Sequence, residues 1–190
     1  MKRGDPIQIK VRGQFLNATY LGKGLFTTAY RVGDIVYCYT NTDKMKEAIR
    51  ECEGVHIPQI TLEDTDCLFR RIQYDYVYSM PYYRNITSKD TEAWKILKEC
   101  SRALGEARIQ ISNERRNIHL WVQCLGIHIA RRTIDLAKVP QSVKESLTTM
   151  VEAMECYGET CTFEFSPRNI GVDEQGNIIF RDICFDIETL

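Results

Sequence analysis

Three side chains near the C-terminal end of this 190-residue chain have the types and spacing to do chemistry together. Glu164 is followed five residues later by Asn169, and thirteen residues after that by Asp182. Two carboxylates and a carboxamide delivered by a loop and the far strand of a hairpin can converge at the hairpin mouth. Oxygen ligands of this kind suit Mg²⁺, which keeps several waters and binds jointly with substrate phosphates. The plainer alternative is a capped loop with solvated acids. A second feature lies near the other end, in Leu21-Gly22-Lys23-Gly24-Leu25-Phe26-Thr27-Thr28-Ala29-Tyr30. Gly22 and Gly24 free the backbone to approach a phosphate and present N–H groups to its oxygens. A strand rather than a helix follows, so the motif is not a dinucleotide fingerprint. No Gly-Lys-Ser/Thr closes it, so it is not a Walker loop either.

These residues need elements to hold them. Ile7, Ile9 and Val11 alternate with polar neighbours, and residues 15–21 form a second candidate strand. Residues 29–32 and 35–40 flank Gly33-Asp34, which reads as a hairpin turn. Thr42 or Asp43 can cap a helix whose Met45, Ala48, Ile49 and Cys52 share one face, with Gly54 as its stop. Residues 67–72 and 74–78 read as two more strands, ending before Met80-Pro81. A helix is expected over 90–104, stopped by Gly105. A second apolar stripe runs through Val143, Leu147, Met150, Val151 and Met154 to Gly158. Residues 117–138 lean towards helix. Strands at 170–172 and 178–183 flank a turn at 173–177. The expected class is α+β: a strand-rich part with one helix over residues 1–83, then a helical part with a late hairpin over residues 84–190.

Composition narrows the function. Lys and Arg number 25 and Asp and Glu 26, giving a formal charge of -1, so the footprint of a dedicated nucleic-acid binder is absent. The start lacks the apolar core of a signal peptide, and no run of about 18 apolar residues occurs. A soluble intracellular protein is expected. Eight cysteines are scattered without a Cys-x-x-Cys pair and with only three histidines, which argues for reduced thiols rather than zinc or disulfides. His56, His119 and His128 lack a nucleophile in a recognisable motif and read as structural or surface groups. The basic pairs Arg70-Arg71, Arg115-Arg116 and Arg131-Arg132 read as solvated faces.

The order of these features resembles the protein-kinase-like fold: glycine loop, strand pair, helix, two strands, Met80-Pro81, helices, then Glu-x4-Asn and a hairpin Asp. More narrowly, Leu21-Gly-x-Gly-x-Phe-x-x-Ala-Tyr30, Ile57-Pro58 and Phe163-Glu164 with Asn169-Ile170 resemble the small early-gene protein kinases of autographivirus-type phages. The resemblance implies a minimal two-lobed fold with a strand-rich N-lobe and a truncated helical C-lobe. It implies that Gly22 and Gly24 cover the phosphates of ATP, that Met80 lines an adenine pocket, and that Asn169 and Asp182 hold Mg²⁺. Glu164 then stands where a kinase accepts the substrate hydroxyl proton. The implied setting is the host cytoplasm, with a bacterial protein as substrate or target and no membrane partner.

The departures matter as much. The strand that carries the kinase phosphate-binding lysine reads Val36-Tyr37-Cys38-Tyr39-Thr40, with Cys38 at the lysine position. A neutral thiol cannot offset phosphate charge. Lys23, inside the glycine loop, is the candidate substitute; its alternative is a solvated loop-tip charge. Thr162-Phe163-Glu164 replaces His-Arg-Asp, and Asp182-Ile183-Cys184 replaces Asp-Phe-Gly. No activation segment follows within residues 183–190. Two functions therefore stand: a Ser/Thr phosphotransferase acting on host proteins, and a pseudokinase that occupies a host protein without phosphotransfer.

Overall fold

A computed structural model describes residues 1–24, 27–41, 44–114 and 125–186. It is an α+β chain that divides into two compact units. One comprises Met1–Lys44 with Gln59–Tyr82, the other Met45–Pro58 with Tyr83–Leu190. Residues 45–58, grouped with 1–83 on sequence grounds, thus count with the second unit.

The first unit is one antiparallel sheet. Its strands are β1 (Pro6–Val11), β2 (Gln14–Lys23), β3 (Thr27–Val32), β4 (Ile35–Thr40), β5 (Thr61–Phe69) and β6 (Ile72–Pro81), in the order β1-β2-β3-β4-β6-β5. Gly33, at φ 57°, makes the β3–β4 turn that Gly33-Asp34 announces. The sheet curls until its edges meet. Arg12, in the β1–β2 turn, donates its backbone N–H to Asp64 (3.1 Å) and its Nε to the Glu63 carbonyl (2.9 Å) on β5. Inside lie Ile9, Val11, Ala18, Tyr30, Tyr39, Phe69, Tyr74 and Val77. The Tyr39 hydroxyl donates to the Lys10 carbonyl at 2.5 Å, which satisfies a polar group the core would otherwise strand. Burial pushes the Tyr30 phenol up to about 12.

The β5–β6 hairpin corrects the strands expected at 67–72 and 74–78. Its turn is Arg70-Arg71, both with positive φ (51° and 66°), a geometry normally taken by Asn-Gly. Two arginines give no turn signal, which is why the pattern alone points to a break at residue 73 and the structure turns at 70–71.

The second unit holds α1 (Lys44–Arg50, from Met45), α2 (Thr91–Glu114), α3 (Gly126–Leu136) and α4 (Gln141–Glu155). Met45, Ala48 and Ile49 are buried as the α1 stripe predicts, but α1 ends at Arg50, four residues before the expected stop at Gly54, and Cys52 lies beyond the helix and is only half-buried. The capping residues Thr42 and Asp43 lie outside the described residues. Gly105 does not stop α2, which runs ten residues past the expected end at 104 to Glu114. A mid-helix glycine costs only about 1 kcal/mol against alanine. The apolar stripe continues through Leu104, Ala107 and Ile111, which pack on Leu125 and Ile129, and that burial outweighs the cost. The helix expected over 117–138 is observed as α3; residues 115–124 lie outside the described residues. In α4, Val143, Leu147, Met150, Val151 and Met154 are all buried.

Short strands complete the unit: β7 (Arg84–Asn85), β8 (Cys161–Phe163), β9 (Ile170–Val172), β10 (Ile178–Phe180) and β11 (Cys184–Asp186). They pair as β10-β9-β7 and as β11-β8, every pair antiparallel. The strand expected over 178–183 is therefore broken: β10 ends at Phe180, and β11 leaves to pair with β8. Among the described residues no helix is long and apolar enough to cross a membrane.

Candidate functional site

The break between β10 and β11 builds the site. β8 ends on Phe163, which is fully buried, and its next residue, Glu164, donates its backbone N–H to the Ile183 carbonyl at 2.6 Å. The Glu164 side chain is exposed. A single 3-10 turn, Pro167–Asn169, follows and is capped by Ser166, whose hydroxyl accepts from the Arg168 N–H. At the end of that turn the Asn169 carbonyl accepts two backbone N–H groups, from Arg181 (3.0 Å) and Asp182 (3.2 Å). One carbonyl thus ends the β9–β10 ladder and pins Asp182 to Asn169. Glu164 is tied to the same knot through Ile183. The structure brings together the three residues that their spacing singles out.

Arg181 locks this knot from beneath. Its guanidinium donates to the carbonyls of Tyr83 (3.1 Å), Arg168 (3.0 Å) and Ile170 (2.7 Å) and to the Asn85 side chain (3.1 Å). A planar fork with five donors can serve several acceptors at once, which a lysine cannot. Gly171 leaves room for it. A Cβ there would stand 2.5 Å from Tyr83 Cβ and 3.0 Å from Arg181 Cδ. His56 braces the same hairpin. Its Nδ1 lies 2.8 Å from the Ile178 carbonyl and its Nε2 3.0 Å from the Ser142 hydroxyl, while its own carbonyl accepts the Phe180 N–H at 2.9 Å. The structural role expected for this histidine is the observed one.

Asp182 also has a cationic partner. Lys46, on α1, places Nζ 3.0 Å from Asp182 Oδ1. The lysine side chain is only 5% exposed, the aspartate side chain 52%. Sequence reasoning passed over Lys46, because it sits beside the apolar stripe of α1 where a surface lysine is ordinary. The available signal was its position three residues before Ile49, on the flank of the buried face. The helix glutamates are placed otherwise: Glu47 and Glu51 both pair with Arg50, at 2.9 and 2.7 Å.

The remaining candidates belong to the first unit. Gly22 follows an irregularity in the β2–β3 register and stands opposite Ala29. Gly24 donates its N–H to the Thr27 carbonyl at 2.7 Å, and Lys23, between the two glycines, is exposed opposite Thr28. Leu25 and Phe26 lie outside the described residues. Cys38 is 5% exposed and in register with Ala29 on one side and Tyr78 on the other. Met80 is buried opposite Val36. Arg31 stacks over the Tyr82 ring at 3.6 Å.

The other cysteines bear on chemistry only by exclusion. None of those described forms a disulfide with another described cysteine, and Cys156 alone among them is exposed. Among the described residues no group of three or more His, Cys, Asp or Glu side chains could hold a metal ion. No family model, no curated protein and no solved structure matches this chain.

Proposed function

We propose that this chain is a minimal kinase-like phosphotransferase that uses Mg·ATP. The observation that carries the reading is the knot at Asn169, which holds the backbones of Asn169 and Asp182 3.2 Å apart and ties in Glu164 through Ile183. The strand order β2-β3-β4-β6-β5, with α1 between β4 and β5, supports a kinase-like arrangement of the first unit. The pairing of β8 with β11 around the β9–β10 hairpin supports it in the second.

Asn169 and Asp182 fit Mg²⁺ as hard oxygen donors. They supply too few protein ligands for a self-sufficient cage, and that is how this ion binds when it shares its shell with phosphates. When bound, the metal neutralises charge on the transferring phosphoryl group. Glu164 accepts the proton of the attacking hydroxyl, whose oxygen bonds to the γ-phosphorus as the bond to the β-phosphate oxygen breaks and ADP leaves. Its exposed carboxylate, on a side chain one methylene longer than aspartate, has reach to do so. Gly22 and Gly24 are the proposed phosphate-contacting backbone, and Met80 the adenine contact. The resemblance to phage early kinases makes a host bacterial protein, in the host cytoplasm, the proposed substrate.

A second reading has an observation of its own. Cys38 is buried on β4 between Ala29 and Tyr78, with no cation on that strand, which favours a pseudokinase that binds a host protein without phosphotransfer. Incubation with γ-labelled ATP and Mg²⁺, alone and with host lysate, separates the two. Label that vanishes in Asp182→Ala supports the enzyme. No label, together with no thermal shift on adding ATP and Mg²⁺, leaves the binding module.

A further inference from the structure

We infer that the tip of the β5–β6 hairpin, with the N-terminal turn beside it, is a docking surface for an acidic segment of a partner protein. Arg70 and Arg71 form the two-residue turn, both at positive φ, 51° and 66°. A side chain with a Cβ resists that backbone, whereas Asn-Gly takes it with little strain. The turn itself therefore gains nothing from arginine at these positions. The guanidinium groups do not serve the fold through ion pairs either: among the described residues no carboxylate pairs with Arg70 or Arg71. Arg70 donates from Nη1 to the Met1 thioether, a weak acceptor, at 2.9 Å. Backbone strain kept alongside exposed charge points to a ligand of opposite sign.

The neighbours of the turn define the chemistry of that ligand. The contact between Met1 and Arg70 brings the N-terminal turn to the same end of the sheet, where the Gly4 N–H donates to the Tyr20 carbonyl at 2.9 Å. Lys2 and Arg3 are exposed on it, and among the described residues neither side chain pairs with an acid. Asp5 in the same turn accepts the Lys2 backbone N–H at 2.6 Å, and exposed Asp66 on β5 makes no ion pair with the four cations. Lys2, Arg3, Arg70 and Arg71 thus gather at one end of a chain whose net charge is -1. Apolar side chains stand among them: Leu68 is 65% and Ile72 44% exposed, on the strands either side of the turn. A single-stranded nucleic acid is met by open ring faces, but Tyr20, Tyr30 and Phe69 at this end pack on one another. A membrane is met by an apolar tip with cations behind it. Here the cations hold the tip and Leu68 and Ile72 stand behind. Guanidinium forks beside exposed apolar side chains suit a protein segment in which carboxylates alternate with apolar residues. None of these residues belongs to the unit that holds Asn169 and Asp182, so the surface serves an enzyme and a binding module alike.

The test uses the intact chain and fluorescence anisotropy with a labelled peptide of repeating Glu-Glu-Leu. A Glu-Glu-Ser repeat of the same length, single-stranded and duplex DNA, and, by co-sedimentation, phosphatidylglycerol vesicles are run beside it. The parent is expected to bind the Glu-Glu-Leu peptide more tightly than any of these, and added salt to weaken the binding. Arg70→Asn with Arg71→Gly is the decisive variant, because it relaxes the turn while removing its charge. Its melting temperature is expected to equal or exceed the parent's, and its affinity for the peptide to fall roughly tenfold or more. Leu68→Ser with Ile72→Thr keeps every cation. It is expected to weaken Glu-Glu-Leu binding about threefold or more and to leave Glu-Glu-Ser binding unchanged. A lower melting temperature in the Arg70→Asn, Arg71→Gly variant, or unchanged peptide affinity in it, overturns the inference. So does a parent chain that prefers DNA or vesicles to the peptide, or that binds none of the probes.

Discussion

Replacing Arg181 by methionine keeps a side chain of similar length and removes the guanidinium donors that hold the site loop from below. The bonds lost include those to the carbonyls of Tyr83, Arg168 and Ile170 and to the side chain of Asn85. Arg168 and Asn85 are exposed, so water replaces the arginine there at little cost. Tyr83 and Ile170 are buried, and their carbonyls lose a charged donor that water cannot readily replace. At about 1–3 kcal/mol for each buried acceptor left short, and taking the lower part of that range because Arg181 is itself partly exposed, the loss is roughly 2–4 kcal/mol. For a chain of this size, that lowers the melting temperature by about 5–15 °C. Thermal unfolding followed by circular dichroism measures it. Arg131→Met, which breaks only the half-exposed pair with Glu155, serves as control and is expected to cost under about 1 kcal/mol. Hydrogen exchange adds a local readout, because the amides of Arg181 and Asp182 both donate to the Asn169 carbonyl. These amides are expected to exchange faster in Arg181→Met. If that variant melts like the Arg131 control and both amides stay protected, Arg181 does not hold the loop.

Other consequences follow from single groups. The Glu99 carboxyl is drawn from its ordinary 4.5 to about 2, first by Arg102 and then by the Lys138 backbone N–H. A depressed folded-state pKa adds stability above the unfolded value and loses it as pH falls through the folded one. Glu99→Gln should therefore be less stable at neutral pH and show a shallower loss between about pH 4.5 and 2 in acid titrations of stability. Thr162 is 1% exposed and its hydroxyl has no hydrogen-bond partner among the described residues. Thr162→Val should accordingly leave denaturant stability unchanged or raise it by up to about 1 kcal/mol; a clear loss would expose a hidden partner. Burial pushes the fully enclosed Cys100 thiol up to about 12, with the Glu99 charge adding to the effect. Iodoacetamide on the native protein should modify exposed Cys156 and spare Cys100 until the chain unfolds, as peptide mapping would show.

Much of this molecule is written locally. The stripes of α1 and α4, the Gly33-Asp34 turn and the β9–β10 hairpin follow from periodicity and turn chemistry over a few residues, and the fold keeps them. The spacing of Glu164, Asn169 and Asp182 was legible for the same reason: one loop and one hairpin carry all three. Elements that depend on distant partners were not. Gly105 continues α2 because Leu104, Ala107 and Ile111 find Leu125 and Ile129 to pack on. The Arg70-Arg71 turn is imposed by the pairing of β5 with β6. The strand expected over 178–183 breaks because the Asn169 N–H turns back to the Ser166 carbonyl and Asp182 shares the Asn169 carbonyl with Arg181, so no further pair with β9 forms.

The sequence by itself determined the order of the longer helices and strands and three oxygen-bearing side chains that can share one loop, because helix and strand periods and hairpin spacing are short-range properties; the short strands β7, β8 and β11 were not among them. Only the tertiary structure decided which cation stands beside Asp182. Lys46 and Asp182 are 136 residues apart, and nothing in either neighbourhood names the other. Burial of one and exposure of its partner arise when α1 packs within the second unit, and that packing is a property of the folded chain.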